Sequence, residues 1–182
     1  MTVYLIRHGM TEANEKRLYC GSTDIPLSDT GREALSHLRY TVSCKKYLTS
    51  GMLRTEETLQ LLFGEVPHEK DHRFREVDFG DFEMKSYEML KDDAAYQDWI
   101  CGENEKNAPP HGESGDAMTK RVLEAYRDVQ NSGEDTVIVT HGGVIAAIMQ
   151  SLFPNEGKHR YAWQPKPGHG YAVTENGYRE IP

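Results

Sequence analysis

Apolar residues cluster in two continuous β-favouring runs, Val3-Tyr4-Leu5-Ile6 and Val137-Ile138-Val139, the second opened by Asp135-Thr136 and closed by Thr140. Neither run alternates with polar residues, so both read as strands buried on both faces. A shorter run, Lys46-Tyr47-Leu48-Thr49, reads as a third strand, followed by a turn and a helix to Phe63. Between these the spacing is helical. Ser28-Asp29-Thr30 opens a helix to about Val42, with Ser28 as N-cap and Ala34, Leu35 and Leu38 as its apolar face. Residues 86 to 101 read as one helix, with Tyr87, Leu90, Ala94 and Trp99 among its apolar positions. Glu113-Ser114 start a long helix to about Gln130 that turns Val122, Leu123, Tyr126 and Val129 to the core, and Gly142 to Met149 is a buried helix. Gly21 and Pro26 mark the stretch Tyr19 to Leu27 as a loop, and Gly102 to Gly115 is a polar, proline-containing loop. The tail from Gly168 to Ile181 reads as a β-hairpin with Asn176-Gly177 at its turn.

Strands alternating with helices over 182 residues predict one α/β domain of ordinary size. No apolar run approaches the ~20 residues needed to span a bilayer. The chain enters a strand at once, without a basic segment or small-residue cleavage site, which predicts no signal peptide. Three scattered cysteines, Cys20, Cys44 and Cys101, form no C-x-x-C pair and point to free thiols in a reducing, cytoplasmic setting. The net charge of −8 argues against nucleic acid or an anionic membrane as partner. His37, His68, His72 and His159 have no metal-site spacing, so no metal is expected.

The chemistry lies where the strands stop. The first becomes Arg7-His8-Gly9, followed by Thr11 and Asn14, and the later one becomes His141-Gly142-Gly143. Open α/β sheets bind ligands at the C-terminal ends of their strands. A guanidinium matches phosphoryl oxygens, an imidazole can attack phosphorus, and glycine permits close backbone approach. Asn14 adds an amide donor, and Gly142 opens a helix whose free N–H groups suit an anion. Glu76 sits among Phe74, Val77 and Phe79; a carboxyl desolvated there would have a raised pKa and could carry a proton. Glu83 reads as a loop or helix-start residue, and Asp78 and Asp81 as solvated or structural.

Four segments in this order (Arg7-His8-Gly9-x-Thr11-x-x-Asn14, Ser50-Gly51-Met52-Leu53-Arg54, Glu76-Val77-Asp78-Phe79-Gly80 and Thr140-His141-Gly142) resemble the histidine phosphatase superfamily, from Val3 to about Tyr171. The resemblance implies a three-layer α/β/α sandwich with a mainly parallel sheet and a cap insertion at about residues 77 to 115. It implies His8 as nucleophile, Glu76 as proton donor, and Arg7, Arg54 and His141 as the groups that hold the phosphoryl oxygens. Asn14, the Gly142 amide and the backbone at Gly21 join them. For Arg54 the residues alone also allow an ion pair with Glu57. The implied reaction is hydrolysis of a small phosphomonoester through phosphohistidine, with no metal and no cofactor; a mutase and a non-catalytic phosphoester-binding protein are the alternatives. The chain departs from the family in having Ser50-Gly51 where Ser-Pro or Ser-Asp is common, and His111 in place of a glycine. Mutases carry Glu-Arg-x-Tyr-Gly and cap arginines; here Val77 and Phe79 replace the first pair, and residues 81 to 119 hold no arginine, three lysines and ten carboxylates. This pattern resembles the small phosphatases, α-ribazole phosphatases among them. His111 and His169 could reach the pocket rim, though His111 reads first as a surface histidine, and Glu113 reads equally as a hydrogen-bonding group of the site or a helix N-terminal carboxylate.

Overall fold

The computed structural model describes residues 1–42, 44–103 and 105–182. In chain order the elements are β1 (Val3–Arg7), α1 (Glu12–Glu15), α2 (Asp29–Ser36), β2 (Lys46–Thr49), α3 (Leu53–Phe63), β3 (Glu69–Lys70), α4 (Tyr87–Leu90), α5 (Ala94–Cys101), α6 (Gly115–Ser132), β4 (Thr136–Thr140), α7 (Gly142–Leu152), β5 (Gly170–Thr174) and β6 (Gly177–Ile181). The strands form one sheet in the order β3-β2-β4-β1-β5-β6. The first four are parallel, while β5 and β6 run antiparallel at one edge.

Alternate residues of the central strands feed two cores, as the two-residue period of a strand requires. Val3, Leu5, Ile138 and Val173 face α6 and α7, whereas Ile6, Val137, Val139 and Ala172 face α3 and its neighbours. Both faces are therefore covered, which explains why the middles of β1 and β4 are apolar on both faces. Val122, Tyr126 and Val129 of α6 are buried at helical spacing, with Leu123 half-buried beside them. No described helix is long and apolar enough to cross a membrane.

Three expected boundaries move. The helix after Ser28 ends at Ser36, not Val42, and Ala34 is exposed. Tyr40 instead donates its hydroxyl to the Gly168 carbonyl at 2.5 Å and, with Val42, packs on the core beside α3. The expected helix over residues 86 to 101 is two helices, because Asp93 accepts from the Tyr96 amide and starts α5 afresh. The hairpin turn falls one residue early, on Glu175-Asn176, so that Gly177 already pairs with Thr174. Asn104, within the expected loop from Gly102 to Gly115, lies outside the described residues.

The residues expected as a cap, between Glu76 and α6, have a small core of their own in Phe82, Leu90 and Tyr96, flanked by Tyr19, Phe79 and Trp99. Glu83 ties this cap to the loop after β1. Its carboxylate accepts from the amides of Gly21, Ser22, Thr23 and Phe79 at 2.9–3.2 Å. The carboxylate read as a loop residue is thus a clamp that binds two segments together. A Cβ on Gly21 would overlap the Val77 carbonyl, so this close approach requires glycine.

Candidate active site

Strand register brings the two histidines together. Arg7, the last residue of β1, pairs with Thr140, the last of β4, so His8 and His141 emerge side by side. Their ring centroids are 5.2 Å apart. Both are buried. The His8 amide donates to the Thr140 carbonyl at 2.9 Å, and the Gly9 amide to Thr58 Oγ1 at 2.9 Å. His8 Nδ1 lies 2.6 Å from the Gly9 carbonyl. A carbonyl only accepts, so the proton sits on Nδ1 and Nε2 keeps its lone pair.

Two guanidinium groups frame this pair. Arg54, on the first turn of α3, is 1 % exposed, and its Nη1 and Nη2 donate to the carbonyls of Thr23 and Gly21 at 2.9 and 2.8 Å. The expected alternative partner, Glu57, instead accepts from Arg32 and from the Leu27 amide. Arg7 donates through Nη1 to the Pro165 carbonyl at 2.9 Å, while its buried Nε has no partner. His141 Nε2 lies 2.8 Å from Ser50 Oγ, and its buried Nδ1 also has no partner. Among the described residues no carboxylate lies within 4 Å of either arginine's nitrogens. Buried cations are normally paired, and removing one partner of a buried pair costs several kcal/mol. Buried Arg54 and partly buried Arg7 are thus hydrogen-bonded to neutral carbonyls and to no carboxylate, an arrangement that suits an anion.

Glu76 faces this group from the cap side. Its Oε2 accepts from the Gly143 amide at 2.9 Å, its Oε1 from the Val77 amide at 3.0 Å. A Cβ on Gly143 would overlap the Glu76 carboxylate, so the second glycine after His141 makes room for that side chain. Arg121, which the sequence reading passed over, fixes the backbone on which Glu76 rides. It donates to the carbonyls of Arg73, Arg75 and Glu76 at 2.7–3.0 Å and forms a two-pronged bond with Glu113. Glu113 therefore serves Arg121 and lines the cavity beside Glu76.

Asn14 lies on α1, where its Oδ1 accepts from the Thr11 amide and hydroxyl at 3.0 Å, leaving Nδ2 as the donor it can offer. The Gly21 carbonyl is engaged by Arg54 and its amide by Glu83, so that backbone braces the arginine. Gly142 begins α7 and packs against the Arg7 guanidinium. Of the rim candidates, His111 is exposed and bonds Asp81 at 3.0 Å. His169 gives its carbonyl to the Arg7 amide, while its ring lines a different surface cavity. The sequence reading also missed Ser50, which orients His141, and Arg160. Arg160, in the turn Arg160–Trp163 after α7, lines the same cavity as Glu76. That cavity, about 400 Å³, has a wall of Tyr19, Val77, Phe79, Trp99 and Met118. Tyr96 lies buried in the cap core and Tyr87 is exposed; neither lines it.

Burial pushes the pKa of His8 well below its usual value, and Arg54 and Arg7 push it further. Burial does the same to His141, with Arg54, His8 and Arg7 adding. Both rings therefore stay neutral near neutral pH. The sign for stability follows. The unfolded chain protonates these histidines below about pH 6.5, before the folded one does, so stability falls as pH drops through that value. Each contributes up to about 1.4 kcal/mol per pH unit. His68, raised by the Val66 carbonyl and Glu56 against burial, works in the opposite direction. Comparison of denaturant unfolding for wild type and His8→Asn cancels that contribution. Between pH 6.5 and 5, wild type is expected to lose more stability than the variant; parallel curves would contradict the assignment.

The chain belongs to the histidine phosphatase superfamily (branch 1), whose pattern matches residues 3–178. Particular relatives narrow the likeness. It is 32 % identical over 165 residues to the adenosylcobalamin/alpha-ribazole phosphatase of Salmonella typhimurium, covering 84 % of this chain and 79 % of that one. The alpha-ribazole phosphatase structure from Shigella flexneri superposes with a TM-score of 0.84 at 27 % identity, covering 100 % and 96 % of the two chains. A phosphoglycerate mutase structure from Thermus thermophilus superposes with 0.77 at 27 % identity, covering 100 % and 99 %.

Proposed function

We propose that this chain is a phosphomonoesterase that hydrolyses small phosphorylated metabolites through a phosphohistidine at His8, without a metal ion. The observation that carries the reading is the pair of guanidiniums, buried Arg54 and partly buried Arg7, hydrogen-bonded to backbone carbonyls and not to carboxylates, flanking a neutral histidine. His8 Nε2 attacks phosphorus in line, forming an N–P bond as the P–O bond to the leaving group breaks. Arg7, Arg54 and His141, with Asn14 and the Gly142 amide, hold the oxygens on which charge spreads. Glu76 gives its proton to the departing alkoxide. It then takes a proton from the water that cleaves the N–P bond and releases inorganic phosphate.

The cavity beside Glu76 receives the leaving group. Its wall is aromatic and apolar, and its one lining cation among the described residues, Arg160, already pairs with Glu105. A mutase must grip a phosphorylated carboxylate during reorientation; this cavity favours hydrolysis instead. α-Ribazole phosphate, whose aromatic base suits such a wall, leads the substrate candidates, and likeness to enzymes named for it supports that choice. The test is a phosphate-release screen over α-ribazole phosphate, sugar phosphates and phosphoglycerates beside a 2,3-bisphosphoglycerate-primed mutase assay. Release from neutral esters should exceed mutase turnover; mutase turnover above every hydrolytic rate would sink the reading. Glu76→Gln separates the acid's role. It is expected to lower kcat on alkyl phosphates by about 10²–10⁴-fold and much less on aryl phosphates, whose leaving oxygen needs little protonation. Equal losses on both would move attention to Glu113.

A further inference from the structure

We propose that Glu105 sets the charge class of the substrate: by holding Arg160, it leaves the leaving-group cavity without an available cation and so turns away esters whose leaving group is anionic. This rests on the phosphomonoesterase reading and adds to it the kind of alcohol released. Three carboxylates line the cavity, Glu76, Glu105 and Glu113, against Arg160 as the one lysine or arginine among the described lining residues. Arg121 occupies Glu113 from behind with both prongs of its fork. Arg160 Nη1 donates to Glu105 Oε2, which lies at the start of α6, where a Cβ on Gly115 would overlap it. The Asp116 amide fixes the Glu105 backbone, donating to its carbonyl at 2.7 Å. Arg160 is mostly buried, its side chain 19 % exposed.

Arg160 also lies within electrostatic reach of Glu76, which supports its charge against burial. A second anionic group on a substrate would thus enter a space lined by Glu105, and would have to displace Glu105 to reach the guanidinium. A like charge placed against an incoming ligand gives specificity by repulsion, as effective as any added attraction. A neutral alcohol meets no such opposition and covers Tyr19, Phe79 and Trp99.

Glycerol 3-phosphate and 3-phosphoglycerate make a matched pair, since a hydroxymethyl group in one is a carboxylate in the other. Dissociation constants are read by calorimetry in a His8→Ala background, so that the ratio does not depend on turnover. The parent is expected to bind glycerol 3-phosphate about tenfold more tightly than 3-phosphoglycerate. Adding Glu105→Gln should tighten 3-phosphoglycerate about tenfold and shift glycerol 3-phosphate far less. Adding Arg160→Gln as well should abolish that gain. An unchanged ratio in Glu105→Gln, or a gain that survives without Arg160, overturns the proposal. Should Glu105→Gln bind neither ester, Arg160→Gln alone decides. It should weaken 3-phosphoglycerate further, because Glu105 then faces the cavity unpaired, and any gain counts against the proposal. Failure of the phosphomonoesterase reading shows separately, as absence of phosphate release by wild type from 4-nitrophenyl phosphate and every neutral ester.

Discussion

His8→Ala is expected to lower phosphate release by about four orders of magnitude or more, because a covalent route loses both of its steps with the nucleophile. No other described side chain stands ready to replace it. His141 is next to it, but its Nε2 is held by Ser50 and its ring is set at 64° to that of His8. The variant should stay folded. His8 fixes the strand ends through its backbone amide, which alanine keeps, and the ring it removes is a buried polar group between two cations. Steady-state rates on an aryl phosphate, with a thermal melt of the same preparation, measure both. Activity within tenfold of wild type in a folded variant would mean that water or another group attacks phosphorus.

Arg54→Ala is expected to cost about 10³-fold in kcat/KM, in the range for removing a preorganised donor to transition-state charge. Two effects combine. The guanidinium offers charge to the transferring group, and it also staples the Gly21 and Thr23 carbonyls. Arg54→Lys distinguishes them. An ammonium restores the charge but cannot span both carbonyls while facing an oxyanion, so it should recover only part of the loss. Stability should move differently from activity. A buried cation without a carboxylate strains the ligand-free protein, whereas its loss unpairs the Gly21 and Thr23 carbonyls, so the two effects oppose and Arg54→Ala should unfold close to wild type. Inorganic phosphate should raise the melting temperature of wild type and have little effect on the variant, since a ligand stabilises only what binds it. Equal phosphate protection in both would place the anion away from Arg54.

Much of this site was legible because its residues are set by strand ends. Apolar runs that stop at Arg7-His8 and at His141 have only one way to lie as neighbours in a parallel sheet, and the Arg7–Thr140 register brings the two histidines together. Ser28 capping α2 and Ser114 capping α6 were local signals, readable without tertiary structure. The missed groups depend on long-range placement. Arg121 lies on a helix with an otherwise ordinary polar face, yet reaches the carbonyls beside Glu76 across 45 residues of chain. Arg160 comes from beyond α7, so a tally of cap cations between residues 81 and 119 could not include it. Glu83 looked like a loop carboxylate because its four amide donors belong to two segments that meet only in the fold. Helix ends failed where side-chain partners overrode periodicity, at Tyr40 against Gly168 and at Asp93 before α5.

The central claim is that phosphorus passes through His8, and rapid-quench trapping tests it most directly. Wild type mixed with a ³²P-labelled phosphomonoester and quenched in alkali within milliseconds should carry label on protein. That label should be stable in base, lost in acid, and mapped by peptide analysis to the segment containing His8, with none on His8→Ala. Glu76→Gln should change its amount with an aryl substrate, because hydrolysis of the N–P bond slows when its base is gone. Label absent from wild type during steady turnover, or found on His141, would contradict the account.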